Sequence, residues 1–145
     1  MDIFISMCIT GLTNSQLKES SIYLAAKDLK LHFENISEPA DPPVTVHIGG
    51  CFELDDMKYI LPILSGCKIH IADVTRPSIG VGIEMGLSVA KGIPVIPTCD
   101  EKMKHEISPF IQASLNRHIL FYSDRHDLNR QLKNEISAYL AAYAR

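Results

Sequence analysis

Among the side chains able to do chemistry, those of one run are grouped most closely: Asp73-Val74-Thr75-Arg76-Pro77-Ser78-Ile79-Gly80-Val81-Gly82-Ile83-Glu84-Met85-Gly86. A carboxylate beside a glycine-bearing turn can serve as a nucleophile or can simply organise its loop. The apolar stretch before it, Lys68-Ile69-His70-Ile71-Ala72, has the character of a buried strand. Leu87-Ser88-Val89-Ala90-Lys91-Gly92 after it continues a helical pattern to a terminal glycine. Strand, polar loop and helix follow one another. In a parallel sheet such a loop lies at the carboxyl edge of the strands, where ligands of open sheets collect. Gly80 and Gly82 let a ligand approach the backbone, and the N–H groups of a helix start suit an anion. The pattern places Glu84 in the first turn of that helix, overhanging the cleft. There an acidic residue complements the helix dipole by about 0.3–1 kcal/mol, so a structural role competes with a chemical one. Asp73, at a strand end, reads as a loop cap as readily as a ligand contact.

Alternating elements position this run. Ile3-Phe4-Ile5 is a short strand, and the loop from Ser6 to Asn14 leads into a helix from Ser15 to Leu31, capped by Asn14 or Ser15. Glu38-Pro39-Ala40-Asp41-Pro42-Pro43 can only be a connection. Val44 to Ile48 is a β-branched second strand. Glu53 to Ser65 is a helix with Leu54, Met57, Ile60, Leu61 and Leu64 on one face, and Pro62 predicts a kink or an early end. The third strand is Lys68 to Asp73, and the helix Gly80 to Lys91 follows. Pro94 to Pro97 forms a fourth strand, and Ile107 to Ala113 a short helix with Ser108 and Pro109 at its start. His118 to Tyr122 is a fifth strand, and Arg125 to Tyr143 a closing helix. Strands separated by helices predict one α/β domain, residues 1–145, with a parallel sheet covered on both faces.

Composition bounds the partners. The chain has 145 residues, 46% of them apolar, with 14 basic against 17 acidic side chains and a net charge of −3. That length can bury one adequate core. No Lys/Arg run marks a nucleic-acid or membrane surface, no apolar run approaches the length of a membrane span, and the N-terminus lacks a signal-peptide core. Cys8, Cys51, Cys67 and Cys99 are scattered without a CxxC pair, which predicts reduced thiols in a cytosol. The six histidines form no cluster, so neither a metal nor another cofactor is expected. His47, His70, Tyr23 and Tyr59 carry no readable role. A lone histidine in a strand is more often a satisfied core residue than a ligand.

Ser-x-Gly-x-Gly-x-Glu-x-Gly after a strand ending Ala-Asp resembles the signature of the nucleoside 2-deoxyribosyltransferase family, closest to its branch of 2'-deoxynucleoside 5'-phosphate N-hydrolases. The resemblance covers nearly the whole chain, with its specificity concentrated in residues 73–86. It implies a five-stranded, doubly wound, flavodoxin-like sheet, and cleavage of the N-glycosidic bond of a small-molecule nucleotide or nucleoside without a cofactor. Glu84 stands at the family's nucleophile position. A carboxylate there traps C1' of an oxocarbenium-like sugar, and water or a second base resolves the intermediate. Six residues before the nucleophile the transferases carry an aspartate and the monophosphate hydrolases a serine; Ser78 matches the latter. A serine at a helix start also reads as an N-cap. Ser78 and Gly80 are thus expected to hold a 5'-phosphate, with Asp73 at the same edge. Ser6, Cys8, Ile9 and Thr10 occupy the family's phosphate- and sugar-binding loop, but Ile9 replaces its arginine and Ser6 its first glycine. Tyr59 takes the place of a helix aspartate, with Asp55 and Asp56 about a turn earlier. Ser108 aligns with a serine that reaches the phosphate of a neighbouring subunit, which implies a homodimer, or it caps its helix. The expectation is a cytoplasmic deoxynucleoside-monophosphate N-hydrolase. The alternatives are a deoxyribosyltransferase and a non-catalytic nucleotide-binding module.

Overall fold

The computed structural model describes residues 1–7, 12–34, 44–49, 57–114 and 119–143. Five strands, β1 (Asp2–Ser6), β2 (Thr45–Ile48), β3 (Ile69–Asp73), β4 (Val95–Asp100) and β5 (Leu120–Tyr122), form one sheet in the order β2-β1-β3-β4-β5. Every pairing is parallel. This is the doubly wound α/β arrangement in the flavodoxin-like strand order. Parallel strands covered on both faces should be apolar almost throughout, and β3 is buried at every position.

Alternation along the strands assigns the two faces. Ile3, Ile5, Ile69, Ile71, Ile96, Leu120 and Tyr122 pack with α2 (Ser21–Glu34) and α6 (Arg125–Tyr143) through Ala25, Leu29, Leu128, Leu132 and Ile136. On the other face Phe4 packs with Ile60, Leu64 and Cys67 at α3 (Met57–Gly66). Ala72, Val95 and Cys99 pack there with Val81 and Met85 of α4 (Ile79–Ala90). A clamp ties α2 to α6: Arg125 Nε and a terminal nitrogen donate to the Asp28 carboxylate at 2.7 and 2.6 Å, and Asn129 Nδ2 donates to it at 2.6 Å. Burial alone would raise the Asp28 pKa, and these donors carry it below the ordinary value.

Several local expectations are corrected. The helix expected from Ser15 to Leu31 is two: α1 (Asn14–Glu19) ends at Ser20, and α2 begins at Ser21. Ser20 has extended backbone (ψ 143°), its hydroxyl donates to the Leu17 carbonyl at 2.7 Å, and its oxygen accepts from the Tyr23 N–H at 3.3 Å. A serine that satisfies the backbone on both sides offers it an alternative to a continuous helix. The cap of α1 is Thr13, in a reciprocal box with Gln16, rather than Asn14 or Ser15. Pro62 does not end α3, which runs on to Gly66, and Leu61 faces solvent. Residues 50–56, including Leu54, lie outside the described residues. β4 continues past Pro97 to Asp100. The Pro94 and Thr98 carbonyls accept from β3, so the main chain of Pro97 points toward β5, whose pairing starts only at Thr98. The missing N–H therefore removes nothing from the β3 ladder. A 3-10 segment, Glu101–Glu106, precedes α5 (Pro109–Ser114). Gly92, at φ 71°, ends the α4 turn in the left-handed region that glycine favours.

Candidate functional site

β1 and β3 are neighbours, with Ser6 in register with Ala72, yet the chain leaves them toward opposite faces of the sheet. After β1 it reaches α1 and α2; after β3 it enters α4. A crevice opens at such a switch point, beyond the carboxyl ends of the strands.

Glu84 lies on α4 at this edge of the sheet, in the second turn rather than the expected first. Ser78 caps the helix, its Oγ accepting from the Val81 N–H at 3.3 Å, so the helix proper begins at Ile79 and holds no acidic residue in its first turn. Dipole compensation fades beyond the first turn and no longer accounts for this carboxylate. Glu84 is buried, only 7% exposed. Burial raises its pKa, and the Ser6 hydroxyl, hydrogen-bonded to it, partly offsets the rise. The last residue of β1 thus meets the proposed nucleophile of α4.

Behind Ser6 stands His70, wholly buried in β3, with its Nε2 2.8 Å from the Ser6 Oγ and its Nδ1 2.8 Å from the Ser88 Oγ. The Phe4 ring lies against the imidazole, centroids 5.3 Å apart. Burial pushes the His70 pKa down to about 3, so the ring is neutral at physiological pH.

Asp73 leaves β3 toward the other face and does not meet Glu84. Its Oδ1 accepts from the Thr75 N–H at 3.2 Å and from the Thr75 hydroxyl at 2.6 Å. The Thr75 hydroxyl oxygen also accepts the Asp100 N–H at 3.0 Å and lies 3.2 Å from the Tyr122 hydroxyl. Burial pushes the Asp73 pKa up to about 6 against these bonds, with Asp100 adding to the rise and Arg76 opposing it. The same surroundings push the Tyr122 phenol up, burial first and then the Asp73 charge. Asp73 organises the loops after β3 and β4, the structural role open to it from sequence.

Ser78 and Ser108, thirty positions apart in the chain, line one groove on the β4 side of α4, with Arg76, Pro77, Gly82, Glu106 and Ile111. Ser108 also starts α5, its Oγ accepting from the Phe110 N–H at 3.2 Å. Gly80 is exposed at the helix start, with the Ser78 Oγ 3.8 Å from where a Cβ would sit. Cys8, Ile9, Thr10, Asp55 and Asp56 lie outside the described residues, as does the side chain of Tyr59. His47 pairs with Asp2 at 3.3 Å, on the β1–β2 side. Among the described residues no three His, Cys, Asp or Glu side chains group so as to hold a metal ion, and no helix is long and apolar enough to cross a membrane. The sequence reading did not find the contacts of Ser88, Thr75, Tyr122 and Glu106. Each depends on a partner distant in the chain or on another element.

A buried carboxylate with a hydroxyl beside it, and two helix starts that each carry a serine, can support nucleophilic attack on an electrophilic carbon bearing a polar or anionic substituent. No protein-family model matches this chain, and no curated protein does. A crystal structure of a conserved protein from Enterococcus faecalis V583 shares the fold, with a TM-score of 0.55 and 14% sequence identity over 92% of this chain and 98% of that one.

Proposed function

We propose that the protein hydrolyses the N-glycosidic bond of deoxynucleoside 5'-monophosphates, releasing free base and 2-deoxyribose 5-phosphate. The observation that carries the reading is the Glu84 carboxylate, buried at the β1/β3 switch point and engaged by the Ser6 hydroxyl. Burial strips water from the carboxylate, and the hydroxyl favours its ionised form. In this reading a carboxylate oxygen attacks C1' and the bond to the base nitrogen breaks. The departing base takes a proton from solvent, and water then hydrolyses the glycosyl ester, as in retaining glycosidases. The Glu84 spacing to Ser78 and the glycines, which resembles the nucleoside 2-deoxyribosyltransferase family, supplies the substrate class. Ser78 and Gly80 at the start of α4 would receive the 5'-phosphate.

Glu106 favours a second reading. Its carboxylate lines the groove that holds Ser78 and Ser108, and a negative charge there opposes phosphate. An uncharged deoxynucleoside, with transfer of the sugar to another base, fits that charge better. A panel of deoxynucleosides and their 5'-monophosphates, assayed for free base with and without an added acceptor base, decides between them. Hydrolysis of monophosphates supports the first reading. Base exchange on nucleosides supports the second, and no turnover of any member leaves a non-catalytic binding module.

We place a second copy of the chain against the outer face of α4. Ile79 and Phe110, each one or two positions from the groove serines, are 85% and 77% exposed. Cys67 and Cys99, buried and free, have their pKa values pushed up to about 11 by burial. Such thiols suit a reducing cytosol.

A further inference from the structure

We infer that His70 is a positioning residue for Glu84: it passes a one-way line of hydrogen bonds from Ser88 through its own ring to Ser6, so that the Ser6 hydroxyl is aimed at the carboxylate. The inference rests on Glu84 being the nucleophile, and its readouts are chosen to stand without turnover.

The direction of the line follows from donor and acceptor counts. An ionised carboxylate only accepts, so the Ser6 O–H must donate to Glu84. The Ser6 oxygen is then left to accept, and its other partner is His70 Nε2, at 2.8 Å. Nε2 must therefore carry the imidazole proton. In a neutral ring that leaves Nδ1 bare, and Ser88, 2.8 Å away, must donate to it. Every proton is assigned and every donor points toward Glu84. Linked bonds of this kind polarise one another, most strongly where water is excluded, and Ser6, His70 and Ser88 are all essentially unexposed.

Among the described residues the surroundings add no competing charge. The Phe4 ring of β1 covers the imidazole, and Ile60 and Leu64 of α3 pack against Phe4. From β4 the titratable group on the α4 side is Cys99, a thiol pushed up to about 11 by burial and hence uncharged. Asp73 of β3 is turned to the other face, toward Thr75. Glu106 lies in the groove on the β4 side of α4. Substrate has no route to His70 or Ser88, so their effect must act through Ser6.

The test uses the full-length protein and two measurements by nuclear magnetic resonance. Nitrogen shifts of the His70 ring should show Nε2 protonated and Nδ1 bare at neutral pH. Titration of the Glu84 carboxyl carbon should move upward, by on the order of one pH unit in His70→Leu and in the same direction but less in Ser88→Ala. His70→Gln, whose amide can still donate to Ser6, should titrate near wild type. If His70→Leu does not fold, the wild-type tautomer and Ser88→Ala decide. A ring protonated on Nδ1, or a Glu84 titration unmoved in Ser88→Ala and His70→Leu, overturns the inference. In an active enzyme the acid limb of the pH–kcat profile should shift upward with these variants while KM stays put. Absence of any base release defeats the reading of Glu84 as a nucleophile, whereas the shifts and titrations still report on the line itself.

Discussion

Glu84 and Asp73 are two buried carboxylates at one sheet edge in different surroundings. Among the described residues Glu84 is engaged by the Ser6 hydroxyl, whereas Asp73 is tied by two bonds into its own loop. Glu84→Ala should lower base release by on the order of a thousandfold or more while circular dichroism stays native. Glu84→Gln, nearly isosteric, should lose as much, because an amide is a poor nucleophile. A folded variant with most of its activity would remove the assignment. Asp73 predicts a pH signature in stability instead. Its folded-state pKa, about 6, lies above its ordinary 3.8, so the native state holds an extra proton between those values. The stability Asp73 contributes is complete below about pH 4 and is lost as pH rises through about 6. The span is worth about 3 kcal/mol. Asp73→Asn should therefore be more stable than wild type at pH 7, by up to that amount, relative to the same comparison at pH 4. Urea unfolding at the two pH values checks this, and an equal difference at both would show that Asp73 is not held in its raised state.

At the scale of elements, the start of α4 does two jobs that one pair of substitutions separates. Ser78→Ala removes the cap and should cost about 1 kcal/mol of stability. Ser78→Asp keeps an equivalent cap and suits the helix dipole, so stability should hold, but a carboxylate at that point repels phosphate. Turnover of monophosphates should then fall selectively, with nucleosides spared; equal loss of both would mean that Ser78 is only a cap. These elements also show what the sequence makes legible. α6 was readable to its ends because it is one contiguous stretch, Arg125 to Tyr143, and the structure adds the Asp124 cap, which accepts the His126 and Asp127 N–H groups at 2.8 and 3.0 Å. The order of strands and helices was readable for the same reason. Glu84 was legible through its spacing to Ser78 and the glycines, although its turn was misplaced by one because the cap residue sets the helix start. The α1–α2 break was not, since it depends on which way one serine hydroxyl turns. The length of β4 depends on β5 and could not be read locally. His70 was silent because its partners lie 64 and 18 residues away.

For the whole molecule, the decisive feature is where apolar surface remains. Ile79, Ile83 and Val89 project from α4 at 85%, 51% and 52% exposure, and Phe110 of α5 at 77%. A lone exposed apolar residue needs no explanation, but several together at the rim of a candidate site point to a partner. Ile79 and Ile83 are one helical turn apart and so share a face. Gly82 and Gly86, also exposed, leave open space in which an opposing helix could approach closely. A two-fold dimer through this face would bury the apolar stripe against itself, the self-complementary arrangement that such symmetry requires. Sedimentation equilibrium should then give twice the chain mass of 16.1 kDa. Ile79→Asp combined with Ile83→Asp should give a folded monomer, because neither side chain belongs to the buried core and the change puts like charges against each other across the two-fold axis. Loss of the dimer should also weaken monophosphate turnover, since Ser78 and Ser108 lie beside this surface. A wild-type protein that sediments as a monomer at concentrations of tens of micromolar would sink the proposal. A charged double variant that remains dimeric would move the interface off α4.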